Sequence, residues 1–463
     1  MFDDTWATAT ATEQARAIRA REISSRELLE LYLDRVERLN PAINAVVTLA
    51  ADRARKEAAA ADERTARGED LPPLHGLPIT IKDAIETAGI RSTGGAVELR
   101  DHVPDTDAPA VARLREAGAI VFGKTNLPRW SGDVQSYNEL FGTTNNPWDL
   151  TRVPGGSSGG AAAAVVAGLT SFELGTDIGG SIRLPAHCCG SFGLKPSYGV
   201  VPQRGYLDSI GGGTTDADIN VFGPLARSAE DLDLLLSVLA GPEPARALAW
   251  RVELPPPAVT SLAGARLAVW LDDPANPGEQ AMVAVLRAAL DRLADAGAHV
   301  EEVRPPVDPA QQFELFLALV GAAVSVSDPE HGEELAGSHY AWLMRDRERA
   351  ALQATWAEWF ERYDALLTPV LCTTAFPHLQ EGTFATRRLT VDDAERDYVL
   401  VTWWTGMFGV LGLPVAVPPV GRTPAGLPVG MQVVTPFLRD RQAIRLAGLI
   451  AEVAGGYAVP PGC

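Results

Sequence analysis

GTDIGGSIR, residues 175–183, sets the terms on which the rest of the chain is read. An apolar run, 172–174, leads into it as a strand candidate. Two glycines stand directly before Ser181, where they let the backbone approach a ligand closely and turn its N–H groups inward. That arrangement suits an oxyanion hole, with several N–H donors around a developing negative oxygen and a nucleophile beside them. The alternative is a structural turn with Ser181 as a cap. Asp177 and Arg183 flank the loop with opposite charges and read as a clamp on its shape.

A second run, PGGSSGG at 154–160, fits the G-x-S-x-G pattern. A nucleophile elbow of the α/β-hydrolase kind needs a strand immediately before its serine. Here Asn145, Asn146, Pro147 and Pro154 precede it, which is loop chemistry, and the alanine-rich 161–168 reads as a helix. The serines therefore sit at a loop-to-helix junction, where the plain alternative is a flexible turn capping that helix. A helix start also suits phosphate, but no Gly-Lys-Ser/Thr follows, which removes the P-loop reading.

A serine nucleophile needs a base. His187 lies close to Ser181 in sequence and reads as a packed residue, because triads draw their members from separate elements. Lys82 ends the alternating strand Ile79-Thr80-Ile81. Burial would lower its pKa and supply a neutral amine. Strand alternation would turn the neighbouring Asp83 to the other face.

The bulk of the chain permits this chemistry. It has 463 residues, of which 46% are hydrophobic and 21% charged, an ordinary globular composition. A formal net charge of −19 argues against nucleic acid and anionic membrane surfaces as partners. Cys188, Cys189, Cys372 and Cys463 make no C-x-x-C, and the histidines form no H-E-x-x-H, so no disulfide framework, metal or cofactor is implied. The start of the chain lacks a secretory pattern. The apolar runs at 315–324 and 403–420 do not read as membrane spans. A cytoplasmic, soluble protein is the expectation.

Ser24 and Glu27 make a capping box. Leu28, Tyr32, Val36 and Leu39 follow on one helical face, which Asn40-Pro41 is expected to end. A second helix is read at 51–67 and another at 109–117, before a strand at 119–122. Beyond a Pro-rich connection at 241–260, strands at 266–271, 299–303, 414–417 and 429–434 alternate with helices at 279–296 and 438–453. This alternation predicts an α/β fold with a mostly parallel or mixed sheet covered by helices.

Lys82 in PITIKD, PGGSSGG and GTDIGGSIRLPA occur together in this order, with Ser157 and Ser181 separated by 24 residues. With GKTN at 123–126, FGTTNNPW at 141–148 and FGLKPSYGVVP at 192–202, they resemble the amidase signature family. The close resemblance covers about residues 74–226, and GLPVAVPP and GLPVGMQVV extend it loosely into the C-terminal half, 241–463. It implies a single domain over 1–463, built on a central mixed β-sheet with helices on both sides.

The resemblance also implies roles. Ser181 is the nucleophile, Ser157 a bridging serine with a cis peptide, and Lys82 the base. The N–H groups of Ile178, Gly179, Gly180 and Ser181 form the oxyanion hole, and Ser158 supports the network. Gly155 and Gly156, with Trp130 and Ser131, are expected beside the substrate. Trp403, Trp404 and Phe408 form an aromatic cluster read either as pocket wall or as core. The implied reaction is hydrolysis of hydrophobic or aryl amides, with aryl carbamates as a variant, on a small-molecule substrate. Two alternatives remain: ammonia release of the kind performed by glutamine amidotransferase A-subunits, and a non-catalytic binding protein on the same fold. Where the A-subunit branch typically carries an Asp before GLP, this chain has Thr402.

Overall fold

The structure is a computed structural model and describes residues 4–328 and 330–463. Its main sheet takes strands from both halves of the chain. In chain order these are β1 (Val46–Leu49), β2 (Pro78–Lys82), β3 (Ile120–Thr125), β4 (Glu173–Asp177), β5 (Phe192–Lys195), β6 (Val221–Ala226), β7 (Arg266–Val269), β8 (His299–Glu302), β9 (Ala365–Pro369), β10 (Val415–Val417), β11 (Pro419–Arg422) and β12 (Pro428–Val434). Side by side they run β1-β3-β2-β4-β6-β5-β10-β12-β9-β7-β8, with β11 on β12. Pairing is parallel where β2 meets β3 and β4, and where β7 meets β8 and β9. The other pairs are antiparallel, so the sheet is mixed.

The helices that matter for the site are α1 (Ser25–Ile43), α2 (Gly159–Val166), α3 (Arg183–Cys189), α4 (Gln280–Asp295), α5 (Pro309–Val324), α6 (His339–Trp359), α7 (Trp403–Gly409) and α8 (Asp440–Ala454). Successive strand side chains point to opposite faces, and the core follows that rule. Leu267, Val269, Leu367, Ala416 and Val433 join one apolar cluster with Leu28 of α1, Leu286 of α4 and Ile444 of α8. Their neighbours Ala268, Leu366, Val415 and Val434 join another, with Phe316 of α5 and Trp356 of α6. Helices therefore cover both faces, as the α/β alternation predicts.

The capping box forms at the start of α1: the Glu27 N–H donates to Ser24 Oγ at 3.1 Å and the Ser24 N–H to Glu27 Oε2 at 2.8 Å. The helix does not stop at Asn40. It runs through Pro41 to Ile43, and the left-handed Asn44 (φ 54°) closes it. Asn40 acts from the side instead, its Oδ1 accepting from the N–H groups of Ala45 (2.8 Å) and Val46 (2.9 Å) to guide the chain into β1. Strands β1, β5, β6, β9 and β11 are not anticipated by the sequence reading. The apolar run at 315–324 belongs to α5, whose continuation to Ser327 is the one helix among the described residues with the length and mean hydropathy (1.4) to cross a membrane. Its Phe313 and Phe316 face belongs to the core.

Gly123 is where β3 presses closest on β1. A β-carbon there would lie 2.7 Å from the Thr48 carbonyl oxygen and 3.3 Å from Thr80 Cγ2. Gly123→Ala is expected to lower stability by about 1–3 kcal/mol, the usual cost of overpacking, read as an earlier urea midpoint. An unchanged midpoint would mean that β1 can move aside.

Candidate active site

The two glycine-serine motifs and the lysine come together at one end of β2 and β4. Parallel pairing sets Thr80 beside Glu173 and Ile81 beside Leu174, so Lys82 ends its strand where β4 gives way to the loop 178–182. Lys82 is fully buried. Its Nζ lies 2.6 Å from Ser157 Oγ and 2.7 Å from Thr176 Oγ1. Burial lowers its pKa from 10.5 to about 7, against the opposing pull of Asp177 and Glu173. Asp83 is turned away: it accepts from the Thr93 N–H at 3.0 Å and from the Thr93 hydroxyl, and lies by the buried Lys124.

Ser157 follows a cis peptide bond from Gly156. Gly155 has φ +81°, and a β-carbon there would sit 2.8 Å from the Pro185 backbone; at Gly156 it would sit 2.5 Å from the backbone of Val134 and Gln135. Larger residues would drive the turn apart, so both glycines serve backbone packing. Ser158 stands at the start of α2 but makes no side-chain cap. Its Oγ meets the Thr176 carbonyl at 3.3 Å, and its N–H donates to the Ser181 carbonyl at 3.1 Å. That bond joins one motif to the other.

The loop 178–181 is held by Asp177 and Arg183, both fully buried. Asp177 Oδ2 accepts from the Ile182 N–H at 3.1 Å and from Arg183 Nε at 3.0 Å, and Oδ1 accepts from Arg183 Nη2 at 2.9 Å. Burial works to raise the Asp177 pKa, yet the Arg183 guanidinium and the Ile182 N–H outweigh it and keep the carboxyl below its usual range. Arg183 Nη1 reaches on to the Thr405 carbonyl at 2.7 Å and Gln432 Oε1 at 3.0 Å, and Thr405 Oγ1 donates to the Gly179 carbonyl at 2.7 Å. The clamp thus ties the loop to α7 and β12.

Four N–H donors are expected around Ser181, and the geometry corrects this to three. The Gly180 N–H already donates to Asp177 Oδ1 at 2.8 Å. Those of Ile178, Gly179 and Ser181 meet no protein acceptor among the described residues. Ser181 itself is 7% exposed, its carbonyl engaged and its hydroxyl without a partner among the described residues. Three open donors beside a free hydroxyl can hold an oxyanion formed by attack of that hydroxyl on a carbonyl.

His187 takes no part. Its Nδ1 accepts from the Gly430 N–H at 3.0 Å and its Nε2 faces the Thr373 carbonyl at 3.0 Å. This is a neutral, buried imidazole whose pKa is lowered by burial. Among the described residues no cluster of His, Cys, Asp and Glu could hold a metal ion.

The aromatic residues divide. Phe408 packs edge-on to Trp356 (centroids 5.7 Å apart) and Trp404 to Trp270 (4.9 Å); both belong to the core, so the pocket-wall reading gives way to the packing reading for these two. Trp403 packs on Phe313 at 4.8 Å, and Phe313 stacks on Phe316. A β-carbon at Gly179 would lie 3.3 Å from Phe316 Cζ and 4.0 Å from Thr402 Cγ2, which places these two side chains over the loop. Trp130 and Ser131 both hold left-handed backbone (φ 52° and 58°), and the Trp130 ring lies on Gly94. A cavity of about 630 Å³ opens along the segment after them, lined by Asp133, Tyr137, Phe384 and Arg387. Ser181 does not line it.

Sequence reasoning passes over Ser136 and Thr176. Ser136 Oγ lies 3.1 Å from both the Gly155 and Ser157 carbonyls and accepts from the Gly159 N–H at 2.9 Å, bracing the turn that carries Ser157. A serine in a polar loop carries no signal of that contact in one sequence. Thr176 is visible only as a member of the motif.

With this geometry in place, likeness to known proteins becomes informative. The amidase family profile matches residues 27–335 and 318–444. The A chain of the glutamyl-tRNA(Gln) amidotransferase of Deinococcus radiodurans is 34% identical, with 96% of this chain and 97% of that protein covered. An indoleacetamide hydrolase of Bradyrhizobium diazoefficiens is 35% identical, covering 96% and 86%. Among solved structures, a bacterial aryl acylamidase of the amidase signature enzymes superposes with a TM-score of 0.85 at 26% identity, covering 98% of this chain and 99% of that one.

The buried lysine has a cost that can be read in stability. Its folded pKa of about 7 lies below its unfolded value, so between pH 7 and about 10.5 the unfolded chain holds more protons and wild-type stability rises with pH. The shift corresponds to about 5 kcal/mol, of which two lost hydrogen bonds take back about 2 kcal/mol. Lys82→Met is therefore expected to be more stable than wild type at pH 7, with the gap closing toward pH 10 in urea titrations. A less stable variant across that range would contradict the burial argument.

Proposed function

The chain belongs to the amidase family and is an amide hydrolase, and we propose that it cleaves hydrophobic, aryl-bearing amides, with aryl carbamates as a chemical variant, through an acyl-enzyme on Ser181. In this reading the neutral Lys82 amine takes a proton from Ser157 as Ser157 takes one from Ser181. The Ser181 Oγ attacks the substrate carbonyl and its C–O bond forms while the carbonyl electrons move to oxygen. The N–H groups of Ile178, Gly179 and Ser181 stabilise that oxyanion. Return of the proton through Ser157 lets the amine leave, and water then hydrolyses the ester by the same relay. The lowered pKa of Lys82 supports this role, because an ammonium cannot accept a proton at neutral pH.

The observation that carries the substrate class is the cover over the oxyanion loop. Phe316 and the Thr402 methyl approach Gly179, and Trp403 extends that wall through Phe313. An apolar wall beside the reacting carbon favours an aryl or acyl group over a small polar one. The names of two similar proteins, an indoleacetamide hydrolase and an aryl acylamidase, are consistent with this.

A second reading, release of ammonia from a glutamine side chain, draws on the 34% identity to an amidotransferase A chain. A free amino acid brings an ammonium that needs an anion nearby, and Thr402 offers a methyl and a hydroxyl already bonded to the Val399 carbonyl at 2.8 Å. The apolar amide is the better fit.

Purified protein assayed with an acyl anilide, a matched primary amide and an aryl carbamate separates these readings. The anilide or carbamate is expected to have the higher kcat/KM, and Ser181→Ala to lose about 10⁴-fold or more with the fold retained. Preference for the primary amide or for glutamine would overturn the aryl reading, and near-normal turnover by the alanine variant would overturn the role of Ser181.

A further inference from the structure

Beneath Lys82 lies a buried carboxyl that the relay does not use. Glu173 opens β4, is fully buried, and neither of its carboxyl oxygens reaches a hydrogen-bond partner. In the parallel register Thr80 pairs with Glu173 on one side, and on the other side of β2 Lys82 pairs with Thr125. Residues 80 and 82 project from the same face of their strand, so Glu173, Thr80, Thr125 and Lys82 form one polar group on one face of the sheet. The hydroxyls of Thr80 and Thr125, its polar neighbours, are likewise buried without a hydrogen bond. A carboxyl held so, with no partner fixing its charge, is free to bind or release a proton.

We propose that Glu173 is a positioning residue for Lys82, its buried carboxyl setting the pH at which the lysine amine becomes available as a base. This rests on the Ser181–Ser157–Lys82 reading given above. Burial raises the Glu173 pKa to about 7, the range to which burial also brings Lys82, whose charged form Glu173 favours. The two therefore titrate as a coupled pair. When Glu173 is ionised it holds the lysine proton more tightly; when it carries a proton that hold is gone.

The other charged groups around the pair are accounted for. From β3, Lys124 faces Glu173 and is itself matched by Asp83, its Nζ bonded to Thr87 Oγ1 at 2.8 Å and Ser92 Oγ at 3.0 Å. At the far end of β4, Asp177 faces Lys82 but is clamped by Arg183. Tyr206, beside Thr176, is pushed up to about 12 by burial and stays protonated. Strand β6 and helix α2, which pack on β4, bring no titratable side chain.

The test uses a fluorophosphonate that reacts with an activated serine, so that it needs no knowledge of the natural amide. Labelling rates of Ser181 are measured from pH 5 to pH 9 for wild type, Glu173→Gln and Glu173→Asp. Gln is isosteric and takes the same space between the same neighbours, so the fold is expected to persist, which circular dichroism checks. Removing the anion lowers the lysine pKa, and the acid limb of the Gln variant is expected about one unit below wild type. The Asp variant keeps the charge and is expected to stay nearer wild type. Superimposed limbs for Gln and wild type, or equal shifts for Gln and Asp, would overturn the proposal, since a purely structural role changes amplitude and not the limb. A wild type in which Ser181 never labels would instead overturn the reading of the site and take this proposal with it.

Discussion

The buried ion pair of Asp177 and Arg183 is the constraint on which the site depends. Each partner lies in a different part of the 175–183 motif, and both are fully buried. An uncompensated charge at this depth would cost several kcal/mol, so neither can leave the other. Between them the chain has little freedom. The Gly180 N–H is drawn inward to the carboxylate, and those of Ile178, Gly179 and Ser181 remain open. Arg183 then carries the constraint outward to Thr405 and Gln432, so that strands and helices from the second half of the chain hold a loop from the first. The open N–H groups are the product of this clamp, as much as of the glycines.

The second half of the site is held from below and from the side. Lys82 enters on a strand whose neighbours on both sides are parallel, which buries it completely and strips its ammonium of water. The turn with Ser157 is pressed between the Val134–Gln135 backbone and the Pro185 backbone, and Ser136 fastens it from one side. A lysine that costs stability is thereby kept in a place where its neutral form is favoured, the usual exchange of stability for reactivity at a catalytic site.

Much of this was legible in the sequence, for physical reasons. Period-two alternation revealed β2, and the placement of apolar runs between helices revealed β3, β7 and β12. The combination of Lys82, Ser157 and Ser181 was legible because the motifs sit where strands end. Other parts were not. Pro224 and Gly223 hide β6, since both discourage a strand reading, although the paired strands on either side overrule that preference. Asn40-Pro41 reads as a helix end because a side chain that bonds forward to Ala45 and Val46 cannot be seen in one dimension. The capture of the Gly180 N–H by Asp177 turns on the folded shape of a short loop. The separation of Trp404 and Phe408 into the core while Phe316 covers the loop depends on contacts between segments far apart in the chain. Single-sequence patterns carry no record of either.

The central claim is that Ser181 becomes covalently acylated during amide cleavage. Rapid acid quench of a reaction with an acyl anilide, followed by peptide mass mapping, tests it most directly. The account predicts an added acyl mass on the peptide containing Ser181, lost again as turnover proceeds and absent in Lys82→Met. Turnover with no adduct at Ser181, or with the acyl group on a different residue, would contradict it.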